Sequence, residues 1–204
     1  RIAVAYLVYF LKEKGRKTAK EIFKRYNSEL ELVMWQLENK FNTPLVGGCG
    51  RLFDAVAAFL GICHKNSYEG QAAIMLSHLA WEKLKKGMVK ESYDLPLKNR
   101  VWQPAVLWEQ LCSDYLGGVD PSIIAAKFHY TIGEAVVTAI VKACHKSGLK
   151  WVALSGGVWQ NVFLSSYVSK KLRQKGLKVL QHRLVPPNDG GLCLGQALIA
   201  AERG

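Results

Sequence analysis

Three short stretches hold the residues best suited to chemistry. Ser155-Gly156-Gly157-Val158-Trp159-Gln160-Asn161 follows the apolar run Trp151-Val152-Ala153-Leu154. Glycines at a strand tip let a ligand approach the backbone, because no Cβ intervenes. A helix starting just beyond them presents unpaired N–H groups, which suit a phosphate. Asn161 can donate and accept, so it can hold a hydroxyl or a ring edge. The stretch is not a P-loop, since no Gly-Lys-Ser/Thr follows. The plainer alternative is a turn that uses glycine only for its backbone angles. In the second stretch, Gly47-Gly48-Cys49-Gly50 leads into Arg51-Leu52-Phe53-Asp54. Asp54 lies just inside a helix start, where the dipole favours a carboxylate, and a carboxylate can accept from both hydroxyls of a ribose. Its alternative is a surface pair with Arg51, worth about a few tenths of a kcal/mol. In the third, Asn188-Asp189-Gly190-Gly191, Asp189 can ligate a metal or cap the helix that follows. A single carboxylate does not make a metal site.

These loops need elements to hold them. Before residue 100 the sequence predicts helices with short joints: Ile2–Lys12, Ala19–Tyr26 capped by Thr18, and Leu32–Leu37 behind a Ser28–Glu31 capping box. Another follows Gly50, where Phe53, Val56, Ala57 and Leu60 recur at helical spacing, and one covers Glu69–Leu84. Residues 85–104 read as a polar connection. Further on the pattern predicts a helix over Pro104–Leu116 and a long one from Pro121 to His145. After these come a strand ending at Leu154, a helix to Gln174 stopped by Gly176, a strand over Leu177–His182, and a final helix Leu192–Ala201. Strand, helix, strand, loop and helix in that order imply a parallel α/β layer, with ligands beyond the carboxyl ends of the strands.

The bulk properties narrow the field. The 204 residues suit one domain or two small ones. A formal charge of +12 and a pI near 9.5 favour anionic partners without choosing among them. The five cysteines contain no C-x-x-C pair, so neither a zinc ribbon nor a disulfide framework is expected. The five histidines form no H-x-x-x-H pair and read as surface or core-edge residues. No segment approaches the roughly 20 uninterrupted apolar residues of a membrane span, and the best candidate, Ile2–Leu11, is too short. The expectation is a cytoplasmic protein with no membrane partner. The opening at Arg1, inside a helix-like stretch and without Met, suggests a piece of a longer polypeptide.

Four motifs together carry a resemblance. Gly50-Arg51-Leu52-Phe53-Asp54-Ala55-Val56-Ala57-Ala58, Tyr68-Glu69-Gly70-Gln71-Ala72-Ala73, Leu154 to Asn161, and Pro186 to Gly191 with Leu194-Gly195-Gln196-Ala197 resemble, in order and spacing, the HypF family. This is the carbamoyltransferase family of nickel–iron hydrogenase maturation. The resemblance covers essentially the whole chain, as the C-terminal part of a much longer enzyme. It implies an α/β fold: the C-terminal part of an actin/Hsp70/sugar-kinase-like architecture with a large helical portion. Residues 1–104 would form the helical portion, and residues 105–204 an α/β subdomain bearing nucleotide and metal loops.

The resemblance further implies carbamoyl phosphate and ATP as small-molecule substrates and carbamoyl-adenylate as the carbamoyl donor. The group would pass to the C-terminal cysteine of the partner HypE, whose thiocarboxamide becomes the cyanide ligand of the hydrogenase iron. Asp54 would bind the ribose, Gly70 or Gln71 would lie beside the nucleoside, Gly156 and Gly157 would face the phosphate, and Asn161 would contact the nucleotide. Asp189 would complete a divalent metal site (Fe, Zn or Mg) with two histidines that this sequence lacks. The resemblance assigns no catalytic residue, and the chain alone is expected to be inactive. A tRNA threonylcarbamoyl-type transferase ranks second, because Trp159-Gln160 stands where that branch carries small residues. Nucleic acid is therefore not an expected partner. A non-catalytic docking piece for an acidic partner ranks third.

Overall fold

The computed structural model describes residues 1–99 and 101–203. The chain forms two compact units, Arg1–Thr131 and Ile132–Gly204. They divide inside a helix, later than the 104/105 subdivision expected from sequence.

The first unit is helical: α1 (Ile2–Ile22), α2 (Asn27–Glu38), α3 (Cys49–Phe59), α4 (Gln71–Lys85), α5 (Pro104–Leu116) and the start of α6 (Pro121–Ser147). Two-residue strands β1 (Leu97–Lys98) and β2 (Val101–Trp102) pair antiparallel within the polar connection. α1 buries Ala3, Val4, Leu7, Val8 and Leu11 at helical spacing, then breaks at Lys12 (φ 54°, ψ −126°). α3 and α5 pack on α1 and contribute the fully buried Phe59, Trp108 and Leu111. Truncating an aromatic in such a core costs about 3–5 kcal/mol.

Two predicted caps do not form. Thr18 lies within α1 and its hydroxyl donates back to the Lys14 carbonyl at 3.0 Å, a bond that an interior Thr makes readily. α2 starts at Asn27, so Ser28 is already helical, and its hydroxyl donates to Glu29 at 3.0 Å instead of capping. α6 also departs from expectation, being long and apolar enough to cross a membrane by length and composition alone. Ile124, Ala125, Ala126 and Phe128 on it are fully buried within the unit, so its apolar character serves a protein core.

The second unit carries the loops of interest. It holds the rest of α6, β3 (Trp151–Leu154), α7 (Val162–Gln174), β4 (Lys178–Gln181) and α8 (Leu192–Arg203). β3 and β4 pair in parallel, with Trp151 opposite Lys178 and Leu154 opposite Gln181. Val152, Leu154 and Val179 share a core with Val137 from α6 and Val168 and Leu172 from α7. The alternate strand residues Trp151, Ala153, Lys178 and Leu180 are exposed, as period-two alternation requires. Glu134 on α6 accepts from the Tyr167 hydroxyl and pairs with Lys171 at 3.1 Å, tying α6 to α7. Burial opposes ionisation of Glu134, but these two partners prevail and hold its carboxyl below the usual range. Every residue of α8 from Leu192 to Arg203 is exposed.

Candidate functional site

At the carboxyl ends of β3 and β4 the chain makes two adjoining turns. After β3, Gly156 adopts φ +105°, where a side chain would be strained. Its N–H donates to the Pro187 carbonyl at 2.7 Å, joining the Ser155–Asn161 turn to the Pro186–Gly191 loop. Gly157 begins a 3-10 turn to Gln160, and a Cβ there would reach only the edge of Asn188, at 3.9 Å. Asn161 is the N-cap of α7, its side-chain oxygen accepting from the Leu164 N–H at 3.1 Å. The helix thus fixes the side chain that sequence reading offered to a ligand. Trp159, the odd residue of the motif, packs against the unit's core.

In the facing loop the cap is Asn188, whose side chain accepts from the Gly190 N–H at 3.2 Å. Asp189 is exposed and starts a short 3-10 turn, so it does not cap α8 as the simpler sequence reading had it. Gly191 is sterically required: a Cβ there would lie 2.6 Å from the Pro186 carbonyl oxygen. Sequence reading missed His182. Its Nε2 lies 2.9 Å from Ser155 Oγ, linking the first residues beyond the two strands. The available signal was positional, since parallel strands of equal length bring the residues after them together.

Gly156, Gly157, Asn161 and Asp189 therefore gather at one end of the second unit. Asp54, Gly70 and Gln71 belong to the first. Asp54 is buried on α3 and accepts from Arg51 at 2.9 Å, so the pair foreseen from spacing is present. Its burial (the residue is 8% exposed) separates it from an ordinary surface pair. Gly70, at φ +76°, is the N-cap of α4, a helix packed on α3. The Gln71 side-chain oxygen accepts from the Ser67 N–H and hydroxyl, at 2.6 and 2.9 Å. It braces the turn before α4.

His129 departs from the expected surface or core-edge position. His129 is fully buried on α6, with Nδ1 2.7 Å from the Ala125 carbonyl and Nε2 3.1 Å from Ser77 Oγ. A carbonyl only accepts, so Nδ1 carries the proton. Burial, the larger influence, pulls this imidazole down to about 4. Among the described residues no group of three or more His, Cys, Asp and Glu side chains could hold a metal ion. Asp189 on its own does not fit one.

Paired glycine turns thus stand at the carboxyl ends of the two parallel strands, with a capped helix behind them. Comparison with known proteins gives the family. Residues 1–196 match the family described as the carbamoyltransferase, Kae1-like domain, second subdomain, and the chain belongs to that family. The carbamoyltransferase HypF of Synechocystis is 34% identical over 80% of this chain and 20% of its own length. That of Rhodobacter capsulatus is 39% identical over 79% of this chain and 20% of its own length. The chain thus spans about a fifth of the length of these relatives. A crystal structure of full-length HypF in its phosphate- and nucleotide-bound form superposes with a TM-score of 0.83 at 33% identity, covering 98% of this chain and 26% of that one. HypF of T. kodakarensis superposes at 0.82 with 22% identity over 97% of this chain and 26% of that one, a likeness of fold.

Proposed function

We propose that this chain is the nucleotide-holding C-terminal part of a carbamoyltransferase of hydrogenase maturation, within an actin/Hsp70/sugar-kinase-like fold. The full enzyme passes a carbamoyl group from carbamoyl-adenylate, made from carbamoyl phosphate and ATP, to the C-terminal cysteine of HypE. The observation that carries this reading is the junction of the two glycine loops through the Gly156 N–H and Pro187 carbonyl. It leaves an edge with no Cβ at Gly156, beside the N-terminus of α7, for the anionic part of the adenylate. Asn161 borders that edge, and for Asp54 and the Gly70–Gln71 turn, in the first unit, a nucleoside role rests on the family motifs they belong to. When the cysteine thiolate attacks the carbamoyl carbon, a C–S bond forms and the C–O bond to the adenylate phosphate breaks, with AMP leaving. Holding that phosphate still and offsetting its charge are this chain's contributions to the step.

Asp189 would supply one carboxylate towards a divalent metal, whose other ligands would have to come from outside this chain. Transfer by this chain alone is therefore not expected. Calorimetric titration with AMP tests the pocket. The parent chain should bind, and Asp54→Asn and Asn161→Asp should each weaken binding at least about tenfold, the second by setting a carboxylate against the phosphate while keeping the cap. Unchanged affinity in both variants would move the pocket elsewhere.

A further inference from the structure

The opposite end of the second unit carries a different signal. Between Glu134 and Asp189 the chain has no acidic side chain, yet it has nine Lys and Arg residues. Topology brings many of them to one place. α6 ends at Ser147 and β3 begins at Trp151; α7 ends at Gln174 and β4 begins at Lys178. Both connections are short, so both helix C-termini and the starts of both strands lie at the amino pole of the parallel pair. The pole carries Lys146, Lys150, Lys171, Arg173, Lys175 and Lys178. The Lys178 N–H donates to the Lys150 carbonyl at 2.7 Å, fixing those two residues side by side.

Lys171 pairs with Glu134. Among the described residues the other five have no carboxylate within ion-pair distance, and all five are exposed. Complementing helix C-terminal dipoles accounts for Lys146 and Lys175. It does not account for Lys150 and Lys178, which flank the strand starts. Nor does charge balance at the nucleotide loops, which lie at the far ends of the same strands.

We propose that this amino pole is an electrostatic docking surface for an acidic segment of a partner protein. Two features favour carboxylates over nucleic acid. The pole's exposed aromatic, Trp151, has the Lys178 ammonium over its ring at 4.7 Å, so a stacking face is already taken. Its one guanidinium, Arg173, is turned to Gln181 at 3.3 Å, leaving lysines, which act as point charges. The inference does not depend on the nucleotide reading.

The test is fluorescence anisotropy with a short labelled peptide of alternating Glu and Ser, at low and physiological salt, with a single-stranded oligonucleotide in parallel. Lys146→Gln/Lys150→Gln/Lys175→Gln is compared with Lys17→Gln/Lys24→Gln/Lys65→Gln, which removes the same charge from exposed sites in the first unit. The pole variant should lose peptide affinity about tenfold or more and the matched variant less than about threefold, with the difference shrinking as salt rises. Equal loss in both, no loss in either, or no binding by the parent chain overturns the proposal. So does an oligonucleotide that binds more tightly than the peptide and is released by the pole variant. Should the triple variant unfold, Lys150→Gln and Lys178→Gln are measured singly, and the same peptide must still weaken.

Discussion

Asn161 and Gly191 show how differently two site residues are held. Asn161 accepts from the Leu164 N–H and so caps α7. Asn161→Ala should cost about 1 kcal/mol in a urea melt and Asn161→Asp much less, since Asp caps as well. A loss of equal size in both variants would show that the amide donors, and not the cap, hold the turn. At Gly191 a Cβ meets the Pro186 carbonyl oxygen at 2.6 Å, a backbone atom that cannot swing aside. Gly191→Ala should therefore lower stability by about 1–3 kcal/mol, as overpacking does. Both motifs were readable as loops, but neither spacing nor composition told which residue would be structural. Asn188 caps where Asp189 was expected to, because only the folded turn brings Asn188 to the Gly190 N–H.

At the scale of elements, α7 and α8 make a contrasting pair. α7 buries Leu164, Val168, Ser169 and Leu172. α8 exposes Leu192, Leu194, Leu198 and Ile199 although its sequence is as amphipathic as a packed helix. Leu172→Ala should cost about 2–5 kcal/mol, whereas Leu198→Ala should change the stability of this chain by less than about 0.5 kcal/mol. Hydrogen exchange gives the matching readout: α8 amides should exchange orders of magnitude faster than those of α7. Protection of α8 equal to α7 would contradict its exposure. The period-3.6 pattern named both helices. The bounds of α5 and the end of α7 at Gln174 agree with the expectation because proline and glycine punctuate them. α2 began earlier than expected, since Asn27 continues the preceding 3-10 turn rather than breaking it.

At the scale of the molecule, His129 ties stability to pH. The folded first unit holds its imidazole at about 4, below the ordinary value of 6.5. Between those two values the unfolded chain binds a proton that the folded one does not. Stability should thus be intact above pH 6.5 and fall as pH drops towards 4, by about 1.4 kcal/mol per pH unit from this group. Urea melts at pH 7.5 and 5.0 on the parent and on His129→Gln check the sign and the source. The parent should show the steeper loss, and identical slopes would clear His129 of the effect.

The sequence by itself determined most of the helices, the two parallel strands, the glycine loops beyond them and the family, because each rests on local spacing or on motifs in order. Only the tertiary structure decided that Gly156 binds Pro187, that Asp54 is buried, and that His129 lies in the core. Those facts arise where segments far apart in the chain meet, and no local pattern of side chains encodes such a meeting.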